Sequence, residues 1–565
     1  MKIKGLLFGL FACAALAACT NEDIVDNNGN EIEKVKANVT LSIGTASNSS
    51  RATDNEEGDT TERTLEKEAA VSDAVIVIAP NAGQTVGVVD YTPVTVSNDV
   101  VEKSYQIAEG GQYKVLVVLN PSQAVKDLAT ATMSQVGTDA TEAYEAILNC
   151  NTGDVDAVTG GTERNHFMMA NQKEETITVT SNDAQHPSTI VAGINVERVA
   201  SKICFKPAQD NKYVVPTEVT HIIPATSNGA WYDTENNIWK LIDVLNHAKT
   251  TEGVDIWIYQ SDDAYNGSQF TMTEETHKVN GASAPVVTKN ATNVSDYTLV
   301  EKEEIKDDVA NWSVTLDKYA LVNLSRSVYA VRHKTVSSWK NPTILGLLSN
   351  SEYIVDPESA AKNNVSLDNN GRYVDTETLA TKFFTNTLKE VEDTQYSSNS
   401  YFQSMPTGDD QLTTEGNEGY KFMSYCLENS VTKDQQKMGL VTGIIFRGQI
   451  ATADGTPVGT IYKYNNQFYR DEAALKAKGI NKADAEEYTD GYCYYYAPIE
   501  HATEGVMNYA IMRNNIYALS IKEFSQIGYS RIDLIPGEMD GDKAFYLKLS
   551  AKILPWKVRL NNIKF

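Results

Sequence analysis

The chain has 565 residues, which is long enough for two or more domains of ordinary size. Its formal net charge of -26 argues against nucleic-acid binding, because a phosphate backbone attracts a concentrated basic surface. The same charge fits a soluble surface protein whose copies repel one another. Beyond the N-terminus no segment approaches about 18 uninterrupted apolar residues, so we expect no transmembrane helix.

The N-terminus has the three parts of a secretory signal peptide. Lys2 and Lys4 form a positive start, and residues 6–16 form an apolar stretch. That stretch is too short to cross a bilayer, which takes about 20 residues. The sequence Leu-Ala-Ala before Cys19 is a small-residue cleavage site that resembles the bacterial lipobox. We therefore predict a signal peptide at residues 1–18 and a lipid on Cys19. The alternative is an ordinary signal peptide with an incidental cysteine.

The first periodic segment follows a polar, acidic tether at residues 20–34. Apolar and polar residues alternate in it, which predicts a half-buried β-strand. The apolar face of this strand consists of Val35, Ala37, Val39, Leu41 and Ile43. Residues 45–59, which include Arg51, have no apolar periodicity. We expect an exposed loop there, of the kind that proteases cut.

The rest of the chain has the pattern of a mainly β protein with sandwich-like architecture. Short apolar runs at 74–79 and 113–119 predict buried strands, and Thr141–Leu148 and Asp471–Lys478 predict two of the few short helices. The polar stretch at residues 280–294 is interpreted as a surface insertion. We place the boundary between two β domains near residue 310.

The C-terminus carries a second amphipathic strand. Its apolar face is formed by Leu554, Trp556, Val558 and Leu560, and the alternation changes face at Ile563 and Phe565. Pro555 has no N–H to donate, so the strand suits the edge of a sheet or begins at this residue.

The sequence contains no G-x-S-x-G, P-loop, G-x-G-x-x-G or H-E-x-x-H motif. We therefore predict no catalytic residues, no metal site and no cofactor, and we favour assembly or binding. The tyrosines at 492–496 are candidates for stacking on sugars, but aromatic residues in strands usually belong to the core. Four cysteines follow Cys19; they are Cys150, Cys204, Cys426 and Cys493. Four cysteines permit three sets of disulfide pairings, and four buried free thiols are at least as good an interpretation.

Five fragments, in order along the chain, resemble the fimbrial subunits of Bacteroidales, the type V pilins of FimA-like and Mfa-like type. These fragments are Asn165–Asn171, Val196–Ile203, Cys493–His501, Tyr509–Ile521 and Trp556–Val558. Residues 205–310 match the family poorly and are interpreted as an insertion. The resemblance implies two β-sandwich-like (transthyretin-like) domains with few short helices. They would cover residues 52–310, with an acceptor groove, and 311–565, ending in a donor strand at 552–565, after a lipidated propeptide at 19–51.

The resemblance also implies a mechanism. The precursor would reach the outer membrane as a lipoprotein, and an arginine-specific protease would cut between Arg51 and Ala52. Arg63 and Thr64 are the runner-up site, because they lie in the same long polar region. The first strand would then leave, and the C-terminal strand of a neighbouring copy would fill its place. The implied product is an extracellular fimbrium that supports adhesion, with accessory fimbrial subunits and host or bacterial surface receptors as further partners.

Pattern alone leaves simpler alternatives for both strands. The first strand would be a permanent strand of a sandwich, and the last would be an ordinary edge strand; the resemblance reverses this order of preference. For the whole chain, the alternative is an outer-membrane glycan-binding lipoprotein of a polysaccharide-uptake system. A secreted hydrolase is disfavoured by the missing motifs.

Overall fold

The fold is known from a computed structural model. It describes residues 37–45, 66–81, 87–97, 100–107, 110–133, 140–179, 188–224, 231–232, 240–241, 247–250, 255–260, 269–279, 282–293, 297–300, 303–334, 354–362, 378–398, 400–412, 418–431, 439–501, 507–535 and 547–555. Strands dominate these residues, so the prediction of a mainly β fold with few short helices is confirmed.

The first nine strands form one sheet. They are β1 (Ala37–Thr45), β2 (Asp73–Pro80), β3 (Val88–Pro93), β4 (Val96–Ser97), β5 (Val100–Ile107), β6 (Gly111–Leu119), β7 (Met169–Asn171), β8 (Glu175–Val179) and β9 (Ser188–Arg198). Their order is β3-β2-β6-β7-β9-β1-β5-β4, and β8 pairs with β6 beside this path. The predicted strands at 74–79 and 113–119 are confirmed as β2 and β6.

Strands β2 and β6 are apolar on both sides, and both of their faces are buried. One face of β2 and β6 shares a core with the inward side chains of β1, β5 and β9, which gives a sandwich-like arrangement. The other face packs against helices, for example through Val77, Leu116 and Ile147. Continuous apolar runs are typical of strands that are covered on both faces.

The helices are α1 (Glu66–Ala69), α2 (Gln123–Met133), α3 (Ala140–Leu148), α4 (Val155–Thr159), α5 (Ser359–Lys362), α6 (Leu388–Thr394) and α7 (Glu472–Ala477). The predicted helices at Thr141–Leu148 and Asp471–Lys478 are confirmed as α3 and α7. Asp471 caps α7 by accepting the N–H of Ala474, and Thr387 and Glu390 form a capping box on α6. No helix of the described residues is long and apolar enough to cross a membrane.

The chain continues through β10 (Ser201–Lys206) and β11 (Lys212–Pro224). A separate seven-stranded sheet follows, composed of β12 (Trp231–Tyr232), β13 (Lys240–Leu241), β14 (His247–Thr250), β15 (Asp255–Gln260), β16 (Gln269–Val279), β17 (Ala282–Asn293) and β18 (Tyr297–Val300). The polar stretch expected at 280–294 as an insertion therefore contains a whole regular strand, β17.

The remaining strands are β19 (Glu303–Val322), β20 (Leu324–Ser325), β21 (His333–Lys334), β22 (Ile354–Val355), β23 (Phe384–Thr385), β24 (Gln403–Ser404), β25 (Lys421–Cys426), β26 (Gly443–Ala451), β27 (Ile461–Tyr464), β28 (Gln467–Tyr469), β29 (Glu486–Tyr488), β30 (Tyr492–Pro498), β31 (Asn515–Phe524) and β32 (Leu547–Pro555). With β10 and β11 they build a four-stranded sheet, β25-β10-β31-β32, and an eight-stranded sheet, β29-β27-β28-β11-β19-β26-β30 with β24 beside β19. Two short pairs, β20-β23 and β21-β22, form separate two-stranded sheets.

The four-stranded sheet is a middle layer. Its residues Cys204 and Ile516 join the core beneath α2 and α3, whereas Ile203 and Tyr517 join the core shared with the eight-stranded sheet. Alternate residues of one strand point to opposite faces, so β10 and β31 contribute to both cores at once.

The domain boundary placed near residue 310 stays a prediction, but the strand pairing at that position is continuous. Residue 310 lies inside β19, a continuous strand that pairs with β11 along its first part and with β26 along its second. β10 and β11 likewise pair with strands that come much later in the chain. The change of sheet lies between β9 and β10, near residue 200. Within the poorly matching residues 205–310, strands β12 to β18 form the separate sheet, and β11 and β19, which flank them in the chain, pair with each other.

Candidate strand-exchange site and the junction beside it

The first strand occupies an inner position of the first sheet. β1 runs antiparallel to β5, with Thr40 opposite Ser104, and parallel to β9, with Thr40 opposite Val191. Both edges of β1 are therefore hydrogen-bonded to neighbours. Removing this strand would leave two facing strand edges with unpaired backbone groups, which is the arrangement that favours insertion of another strand.

The side chains of β1 alternate as its sequence predicts. Ala37, Val39, Leu41 and Ile43 are fully buried in the sandwich core. On the opposite face Thr40 is half-buried, and its hydroxyl lies 2.9 Å from that of Ser104. Each large apolar side chain contributes about 1.5–3 kcal/mol when fully buried. Vacating this position would thus expose an apolar trough as well as two strand edges.

The last described strand is an edge strand. β32 pairs with β31 alone, and Leu554 and Pro555 lie opposite Ile516 and Asn515. The first residues of the expected donor segment, 552–555, are thus tied to their own subunit. The other expected donor residues, Trp556, Val558 and Leu560, lie outside the described residues.

Several further expectations also fall outside the described residues. They are the lipid at Cys19, the cleavage positions Arg51–Ala52 and Arg63–Thr64, and Val35 of the displaced strand. These positions therefore remain predictions from the sequence.

The chain that follows the expected cleavage region is anchored at a buried junction. Glu68 of α1 accepts hydrogen bonds from Lys202 Nζ at 2.8 Å and from the hydroxyl of Tyr425 at 2.5 Å. Its backbone carbonyl accepts from the guanidinium of Arg198 at 3.0 Å. Burial acts to raise the pKa of Glu68, but Lys202, Tyr425 and Arg198 together outweigh it and hold that pKa below its usual value. The junction joins α1 to β9, β10 and β25.

Two further buried ion pairs involve Glu197, the neighbour of Arg198 in β9, and Glu428. Glu197 accepts from Arg332 at 2.5 Å, and Glu428 accepts from Arg513 at 2.6 Å. All four side chains are buried. Burial raises the pKa of Glu197 to about 7, although Arg332 and Arg513 act to lower it. Buried pairs of this kind are costly to break, because a lone charge would remain in the interior.

These contacts explain two of the resembling fragments. Glu197 and Arg198 lie in the fragment Val196–Ile203, and Arg513 lies in Tyr509–Ile521. The sequence signal that could have identified these buried charges is a charged residue within an apolar run. Glu68, Glu428 and Arg332 had no such signal, because their local sequence is that of exposed helices and loops.

A third fragment, Asn165–Asn171, places an amide inside the first sheet. Asn171 accepts from the N–H of Val117 at 2.7 Å and donates to the carbonyl of Val115 at 2.9 Å. In the fragment Cys493–His501, the rings of Tyr494, Tyr495 and Tyr496 are buried in β30. Buried rings offer no face for stacking on sugars, so the core interpretation of this cluster is the right one.

The four cysteines are free and buried. Among the residues that the structure describes, no group of three or more His, Cys, Asp or Glu side chains is arranged to hold a metal ion.

Comparison with known families identifies the C-terminal region. Residues 486–562 match the family described as "Major fimbrial subunit protein type IV, Fimbrillin, C-terminal". This range covers β29 to β32, including the edge strand. This region is therefore similar to the C-terminal part of that fimbrial subunit family, and the resemblance of the fragments to Bacteroidales fimbrial subunits is confirmed. No curated protein matches the chain.

Solved structures of a cell adhesion protein and of a fimbrilin also match the chain at low identity. A putative cell adhesion protein from Parabacteroides distasonis is 11% identical, with 93% of this chain and 100% of that chain covered and a TM-score of 0.38. A fimbrilin from Porphyromonas gingivalis is 12% identical, with 93% and 99% covered and a TM-score of 0.35. These values are too low to transfer the role of any residue.

Proposed function

We propose that this chain is the shaft subunit of a cell-surface fimbrium that polymerises by strand exchange. The observation that carries the proposal is the inner position of β1, with Ala37, Val39, Leu41 and Ile43 fully buried between β5 and β9. The family match to residues 486–562 supports the fimbrial assignment. The sequence predicts a protease-sensitive loop after β1 and an amphipathic strand at the C-terminus. Together these two features favour a shaft subunit over a tip or accessory subunit.

In this proposal the precursor is exported, lipidated at Cys19 and cut after Arg51. The cut separates the lipid, the tether and β1 from the rest of the chain. The anchored Glu68 supports this division, because the retained chain is held there by Lys202 and Tyr425. The lipid is then a transport handle that is discarded with β1.

The neighbour's donor segment begins after Pro555 in this proposal. β32 stays paired with β31, and Pro555 ends that pairing because it has no N–H for a further hydrogen bond. Ten residues, 556–565, follow it, and β1 has nine. Their apolar residues Trp556, Val558 and Leu560 alternate as those of β1 do. The insertion is head-to-tail and does not close, so it produces a filament.

Proteolysis of purified precursor tests the proposal. Cutting with a trypsin-like protease should convert the monomer into a series of heat-resistant bands on a denaturing gel. Arg51→Ala should abolish the series, or delay it if Arg63 is used, and the double variant with Arg63→Ala should remain monomeric. An exposed arginine far from the loop, Arg531→Ala, is the matched control and should polymerise normally. Polymers from the uncut double variant would refute activation by cleavage.

A further inference from the structure

A buried trio of reactive side chains lies apart from the exchange site. Lys362 is the last residue of α5, Asp356 follows β22, and Asn429 lies shortly after β25. Their exposed fractions are 1%, 2% and 0%, respectively. An amine, a carboxyl group and a carboxamide are thus shielded together from water.

The distances bring the three groups into contact. Lys362 Nζ donates to Asp356 Oδ2 at 2.6 Å and to Asn429 Oδ1 at 2.7 Å. The amine therefore lies against the carbonyl group of the Asn429 side chain. Asp356 Oδ2 also accepts the backbone N–H of Ser430 at 2.7 Å, which keeps this carboxylate beside Asn429.

The orientation of the Asn429 amide is fixed by its other partners. Its Nδ2 donates to the carbonyl of Leu440 at 2.8 Å and to the hydroxyl of Thr442 at 3.0 Å. A flipped amide would direct its NH₂ group at the Lys362 amine and its oxygen at the Leu440 carbonyl, and both contacts would be repulsive. The carbonyl group therefore faces the amine.

We propose that Lys362 and Asn429 become joined by an intramolecular amide bond, with Asp356 as the general base and acid. Asp356 takes a proton from the Lys362 ammonium group, and the lone pair of the neutral amine attacks Asn429 Cγ. The new Nζ–Cγ bond forms and the Cγ–Nδ2 bond breaks. Nζ gives up a second proton; one of the two leaves on Nδ2 as ammonia and the other stays on Asp356. No oxidant, reductant or cofactor is required.

The surroundings favour this reaction in three ways. Contact within hydrogen-bond distance makes the attack intramolecular, which replaces a collision between separate molecules. Exclusion of water removes the competing nucleophile. The neighbourhood is apolar, with the fully buried Val441 and with the Phe384 ring 5.2 Å from Nζ.

The cross-link would close a long loop of the chain. Lys362 and Asn429 are 67 residues apart, and Asn429 is itself paired through its backbone with Ile511. The bond would therefore fasten α5 to the part of the molecule that carries β31 and the edge strand β32. Because the four described cysteines form no disulfide, this amide would be a covalent tie between these distant segments that those cysteines do not supply. The inference does not depend on strand exchange.

Peptide mapping of the full-length exported chain tests the proposal. Trypsin cannot cut after an acylated lysine, so residues 341–372 should remain one peptide and should be joined to residues 422–433. The joined species should weigh one ammonia less than the sum of its parts. Fragmentation should place the link between Lys362 and Asn429.

Lys362→Arg keeps a charged donor but cannot form the bond, and its peptides should appear separately. Lys389→Arg changes an exposed lysine and should leave the link intact. Asp356→Asn should also prevent the link. Separate peptides in full yield from the wild-type chain would overturn the proposal, whether or not the variants fold. A link that lacks one water would join Lys362 to Asp356 instead, and loss of ammonia from the 422–433 peptide alone would indicate a cyclised asparagine; either result would also overturn it.

Discussion

Replacing Leu41 tests whether β1 is discarded. Leu41 is fully buried, so Leu41→Ala should destabilise the precursor by about 2–5 kcal/mol. If β1 must leave completely in the slow step of assembly, a precursor destabilised by only about 2 kcal/mol should polymerise about 30-fold faster. The mature subunit has lost residue 41, so polymers from variant and wild type are chemically identical and should have the same heat stability.

The assay combines three measurements on wild type and variant. Thermal unfolding gives precursor stability, a gel time course after proteolysis gives the rate, and heating of the finished polymer gives its stability. Thr40→Ala, in the same strand but on its half-buried face, is the matched control and should change the rate far less. Ile43→Val removes a single methylene and provides a milder variant, at about 0.5–1.5 kcal/mol.

Two results would refute this reasoning. A Leu41→Ala polymer that melts earlier than the wild-type polymer would mean that β1 is retained in the filament. A precursor that is clearly destabilised but polymerises at the wild-type rate would mean that loss of β1 does not limit assembly.

Three further predictions follow from the described contacts. Deleting residues 556–565 should give a folded, cleavable subunit that accepts a donor strand but cannot provide one, so it should stop chain growth when mixed with wild type. Glu68→Gln should lower stability at neutral pH by about 3–5 kcal/mol, because buried Lys202 loses its counter-charge. Since the folded pKa of Glu68 lies below its unfolded value of 4.5, its stabilising contribution is complete above pH 4.5 and is lost as pH falls below it; melting curves of the variant should lack this acid-dependent part. Burial raises the pKa of Cys426 and Cys493 to about 12, so both thiols should resist alkylation in the folded protein and react once it is unfolded without reductant.

Each of these has a clear contrary outcome. Normal filament growth in the presence of the shortened subunit would place the donor elsewhere. Parallel acid dependence in wild type and Glu68→Gln would mean that this carboxylate does not couple to folding. Thiols that stay unreactive after unfolding without reductant would indicate disulfides.

Local pattern predicted local structure well. The alternation of residues 35–43 predicted β1 and its buried face, and the apolar runs at 74–79 and 113–119 predicted β2 and β6. The helix α2 was missed, although Val125 and Ala129 have helical spacing, because these two are its only buried residues and give a weaker signal than the apolar face of α3.

Long-range pairing was beyond the sequence. Lys202 of β10 lies opposite Ile516 of β31, and nothing in the periodicity of either strand specifies that partner. The boundary placed near residue 310 therefore falls inside β19, whose pairing with β11 and β26 is continuous. For the same reason the sequence did not predict that Glu68 meets Lys202, or that Lys362 meets Asn429. Each contact depends on folds of the chain that bring distant segments together.

A cross-link from position 104 tests the central claim most directly. Ser104 of β5 faces Thr40 of β1 at 2.9 Å in the precursor. A photoreactive amino acid placed there should label residues 37–45 of the same chain before cleavage. In finished filaments it should label residues 556–565 of a second copy. Continued labelling of residues 37–45 in the filament would contradict the account.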